Sequence, residues 1–211
     1  MSGRGRRLLV AAAVSLCATL CSAAPDFGAE RASDDARYAA GWVLDGADNL
    51  GQPFAIVDKK DARIYVFDPI GRLIGASAVL LGYAPGDLSV ADIAYRSPAS
   101  LVPAERTTPA GRFATEPGHN DKGEDIVWVD YVASLAIHRL RPAPAQERRA
   151  ARLATPTPDD NRISYGCIVV PVAFYEAVVN PTLGSQRGVI YVLPESQPVQ
   201  AMFGAVEVSL H

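Results

Sequence analysis

One cysteine, Cys167, remains once the first two dozen residues are set aside, within the stretch NRISYGCIVVPVAFYEAVV, residues 161–179. A thiol is a strong nucleophile as its thiolate, and a neighbouring imidazolium or backbone N–H groups stabilise that anion. Gly166, directly before the cysteine, can adopt a positive φ and let a substrate approach the backbone closely. The N–H groups around such a turn can also point at a developing oxyanion. Only His119, His138 and His211 supply imidazoles. His138 lies near the end of the strand-like run SLAIHRL, where a strand end would hold it rigidly. Together they have the residue types of a nucleophile and its base. A plainer role fits as well: a lone cysteine is commonly a small buried apolar filler, and a lone histidine a structural group. Spacing alone leaves both readings open.

The elements that would position this pair are mostly strands. FAIVD, RIYVFD, LIGASAVLLG, DIVWVDY, SLAIHRL and GVIYVLP are short runs rich in Val, Ile, Tyr and Phe, separated by Gly, Pro and Asp. VDKKDAR and FDPIGR read as tight connections. The pattern predicts a mainly β sandwich or barrel with one or two packed helices. One helix is expected in VAFYEAVV, after Pro171 as its first position. Residues 24–50, rich in Ala, Asp and Gly, read as an N-terminal extension with a short helix near ASDDARYAAGW. Between His138 and Cys167 runs RLRPAPAQERRAARLATPTPDDNR, residues 139–162, with six arginines against three acids. AQERRAARLA should be helical there, on a flap or a solvated excursion.

The first residues bear on compartment. Arg4, Arg6 and Arg7 precede the apolar run LLVAAAVSLCATL and the small-residue stretch CSAA, which together read as a signal peptide over 1–23. The run is short for a membrane span, which needs roughly 20 residues. The expectation is a secreted, periplasmic protein without stable membrane insertion. Cys17 and Cys21 would leave with the leader, so neither a disulfide framework nor a Cys-rich zinc site is expected. The formal charge is −3, and losing the three leader arginines takes it to near −6, which does not favour nucleic acid as a partner.

TPAGRF (108–113), AIH (136–138) and SYGCI (164–168), in that order, resemble the signature of the L,D-transpeptidase family, the YkuD-type catalytic domain. The resemblance spans roughly residues 53–195 and implies a β-sandwich-like catalytic domain, placed at 51–211. It implies Cys167 as nucleophile, His138 as base and Ser164 and Gly166 as framing residues, with the Arg139 carbonyl holding the imidazole ring. Thr108, Pro109, Gly111 and Phe113 match a structural turn near the cleft. The implied chemistry is acyl transfer on peptidoglycan stem peptides through a thioester, with no metal or cofactor. Inhibition by carbapenems is part of the same implication.

Four positions depart from the family pattern. Tyr165 stands where many members have histidine, Val169 where an Arg or Asn commonly follows, and Arg139 where a small residue is usual. The gap from His138 to Cys167 is also longer. Tyr165 and Arg162 are therefore substrate-binding candidates. An arginine among Arg139, Arg148, Arg149, Arg152 and Arg162 is expected to turn into the Cys167 cleft and bind a substrate carboxylate. Two further readings accompany transpeptidation: an L,D-carboxypeptidase or other hydrolase on the same scaffold, and a catalytically silent wall-binding relative.

Overall fold

The structure is a computed structural model and describes residues 24–204. The expected leader, with Cys17 and Cys21, lies outside the described residues, as do His211 and the end of the 51–211 domain. Ten strands form in chain order: β1 Phe54–Asp58, β2 Arg63–Phe67, β3 Leu73–Ala78, β4 Leu81–Gly82, β5 Gly111–His119, β6 Asp125–Asp130, β7 Leu135–Arg139, β8 Arg162–Ser164, β9 Ile168–Val170 and β10 Gly188–Val192. Eight of them make one mixed sheet in the order β3-β2-β1-β10-β5-β6-β7-β9, and β4 pairs with β8. The mainly β expectation is met.

The central strands are apolar on both faces because each face carries a helix. On β1, Ala55 and Val57 join a core with Ile64, Val66, Ile190 and Val192. Phe54 and Ile56 point the other way, to Tyr65, Phe67 and Tyr191. Helix α1, Asp34–Asp45, covers that second face through Ala36, Ala39, Ala40 and Val43, which recur at the helical period. Its N-terminus is fixed by Ser33, whose hydroxyl accepts from the Ala36 N–H at 3.0 Å. Residues 24–50 are thus a structural layer of the sheet, with Phe27 buried against Tyr65 and Phe67.

The other face is covered by the helical stretch after Pro171. It starts with α3, Val172–Phe174, passes through a π turn, Tyr175–Val179, and ends as α4, Asn180–Leu183. Pro171 sits just outside it as the cap residue. Tyr175, Val179 and Leu183, four apart, fill the core. Pro181 has no N–H to continue the regular ladder, in keeping with the wider turn before it. Two more short helices form among the described residues, α2 over Arg149–Ala154 within the arginine-rich segment and α5 over Val199–Met202.

β5 joins the two halves of the sheet. Its residues from Gly111 to Thr115 pair with β10, and those from Glu116 to His119 pair with β6. Pro117 falls beyond the end of the β10 pairing, where the missing N–H costs no ladder bond. Between β4 and β5 the chain makes a long excursion through three 3-10 turns, Ile93–Tyr95, Pro98–Ser100 and Pro103–Glu105. That excursion lies over Cys167.

Candidate active site around Cys167

The parallel pairing of β7 and β9 sets Ile137 opposite Ile168, His138 opposite Val169 and Arg139 opposite Val170. Leu135, Ile137, Ile168 and Val170 all enter the apolar core. Alternation along the strands then puts His138 on the opposite face, and Cys167, one residue before Ile168, on that same face. The two candidate groups therefore share one side of neighbouring strands.

His138 is 9% exposed, and its Nδ1 lies 2.8 Å from the Arg139 carbonyl oxygen. A carbonyl only accepts, so Nδ1 carries the proton and Nε2 is left as the acceptor. Arg139 contributes this carbonyl, while its guanidinium is engaged by Glu176 at 2.7 Å and lies over the Tyr175 ring. Burial pushes the His138 imidazole down to about 4, with the positive charge of Arg141 adding to the effect.

The Cys167 sulfur is 3.4 Å from the Ser134 carbonyl oxygen, to which the thiol donates. No hydrogen bond joins it to His138 in this arrangement. Burial pushes the thiol up, against the Ala136 N–H and the Arg141 charge, which favour the thiolate. Both groups are consequently neutral at pH 7, with the proton still on sulfur.

The turn that presents Cys167 is held from several sides. The Ser164 hydroxyl donates to the Cys167 carbonyl at 2.7 Å and accepts from the Gly166 N–H at 3.1 Å. That N–H is thereby committed within the turn and is not free for an oxyanion. Gly166 has φ +132, and a Cβ there would stand 3.0 Å from the Thr107 carbonyl oxygen, so conformation and space both demand glycine. The Gly166 carbonyl accepts from the buried Thr108 hydroxyl at 2.7 Å, which in turn accepts from the Gly82 N–H at 2.8 Å. Thr108, the first residue of TPAGRF, thus acts on Cys167 through the backbone of its neighbour. Sequence reasoning placed it only in a nearby turn.

Above the thiol, Ile93, Pro98, Leu101 and Glu105 of the excursion face Ser134 and Cys167 across a cavity of about 20 Å³. That is room for about one water molecule, not a peptide. Arg106 lies 4.2 Å over the Tyr165 ring and donates to the Leu101 carbonyl, tying the excursion to the cysteine turn. Its two roots meet at a buried lysine that sequence reasoning missed. Lys59 Nζ donates to the Gly86 carbonyl at 2.5 Å, to Asp87 Oδ1 at 2.8 Å and to the Thr108 carbonyl at 3.0 Å.

Arg162 is turned to this lysine cluster, not to the thiol. Its guanidinium pairs with Glu195 and donates to the Lys59 carbonyl at 3.0 Å. Arg149 pairs with Glu147 at 2.5 Å, and Arg152 donates to the carbonyls of Glu147 and Asp160. None of the five arginines named from the sequence lines the cavity over Cys167. Within the long gap to the cysteine, Arg149 and Arg152 are bonded inside the segment itself, while Arg139 and Arg162 pair with Glu176 and Glu195 outside it. His119 is remote in role as well, exposed and 3.1 Å from Asp125.

Stability should report the buried imidazole. The folded state holds His138 unprotonated down to about pH 4, whereas an unfolded histidine takes its proton near 6.5. Between those values the unfolded chain binds the extra proton, so stability rises with pH across the window and falls on acidification. The expected contribution is up to about 3 kcal/mol between pH 6.5 and 4. Urea midpoints at pH 4, 5, 6 and 7 should show this slope, and His138→Asn should flatten it; an equal slope in the variant would place the acid sensitivity elsewhere.

No family model matches the chain, and no curated protein matches it in sequence. Among solved structures it is similar to the Ldtfm–avibactam carbamoyl enzyme, at 15% identity and a TM-score of 0.41, over 68% of this chain and 49% of that one. It is also similar to an L,D-transpeptidase from Xylanimonas cellulosilytica, at 16% identity and a TM-score of 0.39, over 67% of this chain and 60% of that one. The catalytic domain of the E. faecium L,D-transpeptidase is a third, at 17% identity and a TM-score of 0.37, over 68% of this chain and 98% of that one. The chain spans about half the length of the first and about three fifths of the second. Solved L,D-transpeptidase domains, the family whose motifs the sequence resembles, are therefore among the structures this chain is similar to.

Proposed function

We propose that the protein is a periplasmic, cysteine-dependent L,D-transpeptidase acting on peptidoglycan stem peptides. The observation that carries the proposal is the shared face of Cys167 and His138 on neighbouring strands, with Nδ1 fixed on the Arg139 carbonyl and Nε2 left as a base. In the first step the Cys167 proton passes to His138 Nε2, and the thiolate attacks the amide carbonyl between the diaminoacyl residue and the terminal D-Ala. The C–N bond breaks, His138 returns the proton to the departing amine, and a thioester remains on Cys167. An amine of a second stem then attacks the thioester, losing its proton to His138 and restoring the thiol. Water in place of that amine makes the protein an L,D-carboxypeptidase.

The excursion over Cys167 must swing away for either reaction, since the enclosed space admits about one water. The same closure, with the thiol bonded to Ser134, favours the silent wall-binding relative as the second reading. Incubation of the folded protein with a carbapenem and with disaccharide-tetrapeptide muropeptides separates the readings. Enzyme action predicts a covalent adduct located on Cys167 by peptide mass mapping, absent in Cys167→Ala. Cross-linked dimers would identify transfer, and released D-Ala with tripeptide products would identify hydrolysis. No adduct and no product from the folded chain would leave the silent reading in place.

A further inference from the structure

Directly after β7, the chain from Leu140 to Ala151 folds around a second, larger pocket of about 430 Å³, within the size range of small-ligand sites. Its walls are small and apolar, with Pro142, Pro144 and several alanines, and three arginines are among the residues that line it: Arg141, Arg148 and Arg149. No acid is among its lining residues. Arg141 and Arg149 are paired, with Glu124 at 2.8 Å and Glu147 at 2.5 Å. Arg148 makes no ion pair among the described residues. It also sits at φ +48, ψ +34, a left-handed conformation that a long side chain rarely takes. Such an outlier persists only where the surrounding structure imposes it.

We propose that this pocket is an anion subsite for a carboxylate of the peptide cleaved at Cys167, seated beside a small apolar side chain. The proposal rests on the acyl-transfer reading above for the identity of the peptide. Arginine suits a carboxylate because its planar fork can donate two parallel hydrogen bonds. The pocket wall begins at Leu140, whose N–H donates to the Val170 carbonyl at 2.8 Å and so extends the strand pairing beyond His138. In the register that sets Ile137 opposite Ile168, Cys167 falls level with Ala136, so Leu140 stands four strand residues further on, roughly 13 Å, a span of about four extended peptide residues. The positive charges of Arg141 and Arg149 are felt at His138, and that of Arg141 at Cys167, so the pocket and the candidate pair share one electrostatic field.

Full-length Cys167→Ala protein, which cannot turn over, serves for binding measurements. The probes are the stem tetrapeptide, the same peptide amidated at its C-terminal D-Ala, and a version amidated only on the diaminoacyl side chain. Titration calorimetry should show tenfold or greater weakening for the one amide whose carboxylate enters the pocket, which also identifies that carboxylate. Adding Arg148→Ala, or Arg148→Ala with Arg149→Ala, should weaken the tetrapeptide by a similar factor and leave that amide unaffected. Since Arg148 lacks an ion pair, its single variant should keep the parent's thermal transition. Equal binding of all three peptides, no binding at all, or unchanged binding in the folded arginine variants would overturn the subsite. The two readings fail separately. Carboxylate-dependent binding without any thioester on wild-type Cys167 would keep the subsite and remove the acyl-transfer reading. Thioester formation with an unchanged KM in Arg148→Ala/Arg149→Ala would do the reverse.

Discussion

His138→Ala should slow acylation of Cys167 by about 10²- to 10⁴-fold at pH 7, the usual worth of a positioned general base. The expectation follows from the resting state of the pair. Burial raises the thiol and lowers the imidazole, so almost no thiolate is present before a reagent arrives. Proton transfer to Nε2 must then accompany attack; the other described imidazole, His119, is exposed and held by Asp125. Ala136 N–H and Arg141 favour the thiolate but accept no proton. The His138 side chain is on the face away from the Ile137 core, so the variant should keep a cooperative melting transition. Rates of carbapenem adduct formation, followed by intact mass, give the measurement. His138→Gln, which keeps an amide near the Arg139 carbonyl but supplies no base, should be as slow. An unchanged rate in both variants would mean that Cys167 reacts without His138.

Much of this arrangement was legible in the residues. β1, β2, β6, β7 and β10 coincide with apolar runs because strands buried on both faces need no polar alternation. β5 was missed, although it is the longest strand, since GRFATEPGH carries Gly, Glu and Pro and reads as a loop. Its long-range pairing with β10 and β6 overrides local propensity. β8 and β9 are three residues each, too short to show a period. The SYGC turn and the His138 strand end stand out through the resemblance of their motifs to a family signature, because a lone cysteine and a lone histidine by themselves leave a structural role open. Nothing local announced that Arg162 would be taken by Glu195, or that Arg141 would be the arginine whose charge reaches both Cys167 and His138. Those outcomes depend on where the excursion and the arginine-rich segment settle on the sheet.

Lys59 is the clearest residue of that kind. In VDKKDAR it looks like one of two solvated turn lysines, and Lys60 behaves so, pairing with Asp35 at 2.7 Å with its side chain half exposed. Lys59 instead has no exposed side-chain surface, and Asp87 beside it is almost as buried. Burial works against the Asp87 charge, yet donors from Lys59, Ser196 and the Glu195 and Ser196 backbones hold its carboxyl well below the usual carboxylate range. Glu195 adds a second carboxylate at 3.4 Å from Nζ and passes the network to Arg162.

Lys59→Met should therefore cost about 3–5 kcal/mol of stability, because Asp87 would stay buried without its counter-charge. The side chain that replaces it has similar length, so lost volume is a minor part of the effect. Adding Asp87→Leu should cost less than the two single changes summed, since the unpaired charge is then gone as well. Urea unfolding of the two single variants and the double variant measures both statements. A second consequence is kinetic. Lys59 binds the Gly86 and Thr108 carbonyls, the two roots of the excursion that closes over Cys167, and Thr108 in turn holds Gly166. Freeing the roots should open the cover more often, so a small neutral thiol reagent should label Cys167 faster in Lys59→Met under conditions where the chain is still folded. Labelling that accelerates only in step with global unfolding, across a urea series, would show that the excursion does not open on its own. An unchanged urea midpoint in Lys59→Met would show that the buried cluster does not hold the fold at all.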